Sequence, residues 1–172
     1  CSSDLAYTYC ELLLSGVTTV ADLSVAYEGW VEQAAKSGLR VCVAPMFRAA
    51  EWEVKDGRTL SYAWDTQRGR KRFEEALKVM DEAERHTSKR LFGMVSPGQI
   101  DTCDEALLRD AAAEARGRKR PFQTHASQSV VEFQEMTRRN GTTPVQWAND
   151  IGILGPGTGL GHAIFVDHHR SE

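Results

Sequence analysis

The sequence predicts an α/β fold of parallel strands with helices packed outside, and three observations carry that prediction. Short β-rich apolar runs alternate with amphipathic stretches of helical length along the 172 residues. The junctions carry glycine stops and Ser/Thr/Pro starts, the residues that end and begin helices. The strand runs are nearly continuous in apolar character, the pattern of strands covered on both faces and joined through helical crossovers. A (β/α) barrel and an open doubly wound sheet both satisfy this pattern.

Each element has its own signal. Leu5, Tyr9, Leu12 and Leu13 mark a helix already under way at the first residue and ending near Ser15-Gly16, so the start reads as internal to a longer protein. Val17 to Leu23 is a β-branched strand, and a helix over Val25 to Lys36 stops at Gly38. Leu39 to Pro45 is the second strand. From Met46 to Thr66 the periodicity breaks around Trp52, Asp56-Gly57 and Trp64, which reads as a long loop, a lid or irregular insertion. A charged helix from Arg68 to Arg85 leads to a strand over Arg90 to Val95. Thr102 and Glu105 have capping-box spacing and open a helix to about Arg116. A strand ending at His125 follows, and Ser129 and Glu132 repeat the capping pattern for a helix to about Arg139. Thr143-Pro144 opens a short helix with proline in the first turn, and Gly155-Pro156-Gly157 turns the chain into the strand carrying His162.

Composition narrows the function. With 41% hydrophobic residues the chain can bury a core, and a net charge of −3 argues against nucleic acid or an anionic membrane as partner. The basic runs Arg68 to Arg72 and Arg116 to Arg120 sit at helix ends among acidic residues and read as solvated. Four cysteines without C-x-x-C spacing fit a reduced, cytoplasmic setting, and no run reaches the roughly eighteen apolar residues of a membrane span. Neither G-x-G-x-x-G nor G-x-x-x-x-G-K-[ST] occurs, and the glycines from Gly155 to Gly161 precede a strand rather than open a helix, so a nucleotide loop is not indicated.

His125 and His162 stand out. Each falls where a short apolar strand meets its following loop, one strand-plus-helix unit apart. In a parallel α/β fold that brings both imidazoles to the same end of neighbouring strands, where functional groups collect. Neutral imidazole is the commonest protein ligand for zinc and related ions, which makes this a candidate metal site. The alternative is a pair of hydrogen-bonded structural histidines. His86, at the end of a charged helix, reads as structural.

The run from Glu11 to Asp22 resembles the stretch after the first barrel strand of metal-dependent amidohydrolases, in the cytosine deaminase-like and triazine hydrolase group. Thr124-His125-Ala126-Ser127 is similar to that family's fifth-strand metal ligand, and Gly161-His162-Ala163-Ile164-Phe165 to its sixth. Gly141, Pro144 and the run Ile151 to Pro156 follow the family spacing between them. The resemblance implies that residues 1–172 are the central part of a (β/α)₈ TIM-type barrel, about strands 2 to 6 with flanking helices, truncated at both ends. It implies zinc, or another divalent metal such as iron, activating water against a non-peptide carbon–nitrogen bond of a small heterocyclic substrate. Dechlorination and amide hydrolysis are the related alternatives, and a non-catalytic or metal-free binding domain is the alternative from another class. His125 is then a ligand, and His162 a ligand or a neighbour orienting water or substrate.

Departures from the family pattern matter equally. Three residues past the fifth-strand histidine many relatives place a proton-shuttling glutamate; here Gln128 stands, with Glu132 the candidate substitute. After the fourth strand, Ser96-Pro97-Gly98-Gln99 lacks the substrate-binding histidine of many relatives, leaving Gln99 as the candidate contact. Trp52 and Trp64 are candidates to stack a flat ring. No H-x-H pair occurs, so the family's first-strand pair is expected before Cys1 and its eighth-strand aspartate after Glu172. His168-His169 lie beyond the last strand and are weaker ligand candidates. A barrel piece with open strand edges is expected to be inactive alone and prone to associate, and the complete protein to be a homo-oligomer.

Overall fold

The computed structural model describes residues 2–166, so the His168-His169 pair lies outside the described residues. Helix α1 (Ser2–Leu14) closes at Gly16, whose φ of 82° lets the Gly16 and Val17 amides fold back onto the carbonyls of Leu13 and Leu12. Strand β1 (Thr19–Ser24) follows, then α2 (Trp30–Lys36). This helix is shorter than the expected Val25 to Lys36, because Gly29 takes a left-handed conformation at its N-cap and residues 25–28 stay outside it. Trp30, 1% exposed, and the buried Tyr9 both donate to Asp22 Oδ2, at 2.8 and 2.6 Å, stapling α1 and α2 to β1.

Strand β2 (Arg40–Phe47) runs two residues past the expected Pro45. The segment anticipated as a long loop is instead an antiparallel hairpin of β3 (Ala50–Glu53) and β4 (Ser61–Trp64). Its turn is set by Asp56, whose carboxylate accepts from the amides of Arg58 and Thr59 and from the Thr59 hydroxyl. Helix α3 (Thr66–Arg85) is capped by Asp65, and β5 (Leu91–Gly93) and β6 (Ser96–Pro97) form two short segments of one strand position along β2. After a 3₁₀ turn (Ile100–Thr102) comes α4 (Glu105–Arg118). Its cap is Asp104, which accepts from the Leu107 amide, and not Thr102, which is spent within the 3₁₀ turn. Strand β7 (Phe122–Ala126), α5 (Val130–Asn140), α6 (Pro144–Asp150) and β8 (Thr158–His162) complete the order. Ser129 and Thr143 cap α5 and α6, with Pro144 in the first turn as expected.

The chain is thus α/β, and its five principal strand positions are parallel and adjacent in chain order. β1 pairs with β2, β2 with β5 and β6, and β7 with β8. Between the two groups run single bridges from Val95 to Phe122 and from Gln99 to His125. The helix-facing side of the strands carries two large cores. One joins Val41, Val43 and Leu91 to α1, α2 and α3; the other joins Val95 and Phe122 to α3, α4, α5 and α6. Alternate β2 residues, Cys42 and Ala44, face the other way into a small cluster with Met94, where Leu23 and Phe92 remain only partly covered. The basic runs are paired: Arg72 meets Glu51, Arg118 meets Asp81 and Glu114, and Arg120 meets Glu84. No described helix is long and apolar enough to cross a membrane.

Candidate functional site

Alternation along β7 decides where His125 points. Phe122, Thr124 and Ala126 are buried toward the helices, leaving Gln123 and His125 on the opposite, partly open face. The Gly98 carbonyl, at the end of the neighbouring strand position, accepts from the His125 backbone amide at 3.3 Å and is 2.5 Å from its Nδ1. A carbonyl only accepts, so Nδ1 carries the proton, and in the neutral ring the lone pair then sits on Nε2, the tautomer a metal-ligating histidine needs. Position 161 is close beside the ring: a Cβ on Gly161 would lie 2.6 Å from His125 Cδ2, so glycine leaves the imidazole its place.

His162 ends β8, paired with Ala126, and takes a φ of 66°. That turn brings its ring to 5.3 Å from the His125 ring, centroid to centroid, at 41°. The two imidazoles open onto a cavity of about 460 Å³. Gln99 and Gln128 also line it, so four of the residues singled out in the sequence line one cavity. Met46, Phe47, Arg48 and Arg72 line it too and were not anticipated, because the segment after Pro45 gave no strand signal and Arg72 is brought in by α3. Glu51 binds the two arginines, at 2.8 Å to Arg48 and 2.9 Å to Arg72. Despite its partial burial, these guanidiniums, with the Arg72 hydrogen bond foremost, hold the Glu51 carboxyl below its ordinary range.

Trp52 and Trp64 do not line the cavity. They lie on the hairpin, Trp52 donating to Asp101 Oδ2 at 3.0 Å and Trp64 stacking near Tyr62 under the Arg139 guanidinium. Tyr62 also donates to Asp101 Oδ2, at 2.7 Å, and burial pushes the Asp101 carboxyl upward against the pull of these bonds. Glu132 is 1% exposed and also does not line the cavity. Its carboxylate does not return to the Ser129 amide as a capping box would: Oε1 accepts from the Ser127 amide at 2.7 Å and Oε2 from the Gln128 amide at 2.8 Å. Burial raises its pKa, and the two backbone bonds oppose that rise. His86 is held by the Ser88 amide at Nδ1 and by Glu32 at 3.3 Å from Nε2, away from the cavity. Among the described residues no group of three or more His, Cys, Asp or Glu stands close enough to hold a metal ion. His125 and His162 stand at the cavity as a pair of neighbouring imidazoles.

Residues 3–172 match the sequence profile of the Amidohydrolase family. A 5-methylthioadenosine/S-adenosylhomocysteine deaminase of Thermococcus kodakarensis is 28% identical over 161 residues, covering 91% of this chain and 34% of that protein. The chain spans about a third of the length of the curated relatives it matches. Among solved structures, an atrazine chlorohydrolase from Arthrobacter aurescens, complexed with zinc, superposes with a TM-score of 0.73 at 17% identity, over 95% of this chain and 37% of that one. A guanine deaminase from C. acetobutylicum, with guanine bound, gives a TM-score of 0.74 at 14% identity, over 97% of this chain and 40% of that one. At such identities the likeness is one of fold.

Proposed function

The chain belongs to the amidohydrolase family, and from that premise we propose that it is the central part of a divalent-metal hydrolase that deaminates a small heterocyclic amine. The observation that carries the reading is the His125 ring, anchored through Nδ1 to the Gly98 carbonyl beside a cavity and so presenting Nε2 as a donor. The zinc-complexed chlorohydrolase of the same fold supports a divalent metal, and the methylthioadenosine and guanine deaminases support the reaction class.

In this reading residues 1–172 are about strands 2 to 6 of a (β/α)₈ barrel. Leu23 and Phe92, only partly covered beside the buried Cys42, Ala44 and Met94, are the kind of inward face that closure would bury. His125 holds the metal through Nε2, and His162 is a second ligand or orients water and substrate. In this reading the H-x-H pair and the aspartate of the family pattern would lie outside these residues. When bound, the cation supplies Lewis acidity that lowers the pKa of water toward neutrality. Gln99 and Gln128 offer amide donors and acceptors to the ring edge of a substrate. Gln128 has no titratable proton and can meet a substrate only through hydrogen bonds.

The test is ammonia release by the zinc-loaded complete protein from aminopurine, aminopyrimidine and aminotriazine substrates. Turnover on one class supports the reading, and turnover on none, with zinc bound, overturns it. Gln128 on the cavity wall favours a second reading, a non-catalytic barrel that binds the same heterocycles. Saturable binding by calorimetry without ammonia release would select it.

A further inference from the structure

We propose that Glu132 is a positioning residue: its carboxylate holds the Ser127-Gln128 turn, which locks the carboxyl ends of β7 and β8 together and fixes the spacing of the His125 and His162 rings. The proposal rests on the reading that the two imidazoles belong to a metal site, and it gives Glu132 a task other than proton transfer.

Four linked observations carry it. The Glu132 side chain is fully buried, and its oxygens each take one backbone amide, Ser127 at 2.7 Å and Gln128 at 2.8 Å. Ser127 has a φ of 55°, a left-handed conformation that a residue with a Cβ adopts only at a cost, so something must hold it there. The Ser127 carbonyl, aimed by that conformation, accepts from the Ile164 and Phe165 amides at 3.0 and 3.1 Å. The adjacent Ala126 carbonyl accepts from Ala163 at 3.0 Å, and His162 and Ala163 are themselves left-handed, at 66° and 47°.

The chain of contacts therefore runs from the Glu132 carboxylate, through a strained turn two residues beyond His125, to the three amides that follow His162. Two strained segments face each other across the β7–β8 end, and Glu132 is the side chain that pins the first. The carboxylate form fits the task, because both partners are donors and because Glu132 lies in the first turn of α5, near the positive end of the helix dipole. A glutamine would set an amide NH₂ against one of the two N–H groups. A proton carrier, by contrast, would have to face the cavity, which Glu132 does not line.

The experiment compares the complete wild-type protein with Glu132→Gln. The readouts are imidazole nitrogen NMR signals of the metal-free proteins, cobalt(II) affinity from its visible absorption, and the pH profile of turnover. The expected result is that the signals of both rings move, cobalt binding weakens about 10- to 100-fold, as for other lost partners of metal ligands, and both limbs of the pH profile stay. Unmoved ring signals with unchanged cobalt affinity overturn the proposal. So does loss of one pH limb with cobalt affinity intact, the signature of a proton carrier. If Glu132→Gln does not fold, Glu132→Asp replaces it, since a carboxylate one methylene shorter reaches only one of the two amides; moved rings support the proposal and unmoved rings overturn it. If the wild type binds no cobalt, the metal reading fails by itself, and the ring signals alone decide whether Glu132 positions the histidines.

Discussion

Replacing Gly69 by alanine separates helix propensity from packing, because the two predict opposite signs. Gly69 is the fourth residue of α3, and in an exposed helix interior Gly→Ala gains about 1 kcal/mol. Here the new Cβ would stand 2.6 Å from Ala49 Cβ and 2.9 Å from Ala49 Cα, against 3.4 Å or more for ordinary contact. Ala49 cannot withdraw freely, since its amide is bonded to the Thr102 carbonyl and its carbonyl to the Asp65 amide, at 2.9 and 2.7 Å. Overpacking of this kind costs about 1 to 3 kcal/mol, and a backbone neighbour places it at the upper end. The net expectation is a loss of about 1 to 2 kcal/mol. With a urea m-value of about 2 kcal/mol/M, the midpoint falls by about 0.5 to 1 M. Gly117→Ala in α4 is the matched control, because nothing lies within 4 Å of its Cβ, and it should raise the midpoint. A midpoint for Gly69→Ala equal to or above wild type refutes the packing argument, and with it the tight docking of α3 that brings Arg72 to the cavity.

Asp22→Ala leaves the buried Tyr9 hydroxyl and Trp30 indole without an acceptor and should cost about 2 kcal/mol or more in thermal unfolding. Tyr9→Phe, which removes one donor along with its need, should cost about 1 kcal/mol. The Glu135 carboxyl is held at about 2 by Arg138 and then Arg139, against an ordinary 4.5. Its folded pKa lies below its unfolded one, so its contribution is present above 4.5 and lost as pH falls from 4.5 toward 2. Glu135→Gln should flatten acid unfolding in that window, and an unchanged acid slope would count against the pairing. In the complete protein, Gln128→Glu adds a second acid to the cavity that Glu75 already lines, and should raise kcat for the proposed deamination on the order of 10²-fold; steady-state ammonia release decides it, and a null result favours the binding-module reading.

The strand positions and the meeting of the two histidines were legible because local signals and tertiary structure agree. Glycine stops, proline starts and apolar runs mark the same boundaries that the strand ladder uses, and parallel strands in chain order place His125 beside His162. The hairpin was not legible, because its four-residue strands are held by remote groups, Trp52 and Tyr62 reaching Asp101 across 49 and 39 residues. Asp56-Gly57 was its one local signal, a dipeptide that marks hairpin turns. The capping pattern was correct for Ser129 as a cap but not for Glu132 as its return partner. A carboxylate's choice between amides depends on the turn before the helix, and the left-handed Ser127 carries no sequence mark. The arginines on the cavity wall are likewise set by α3 docking rather than by any motif.

The most direct measurement is the metal content of the complete protein and of its His125→Ala variant, by elemental analysis after dialysis. The account predicts a stoichiometric divalent metal in the wild type and its loss in the variant, with the fold retained by circular dichroism. Metal retained undiminished in His125→Ala, or absent from a folded wild type supplied with zinc, would contradict it.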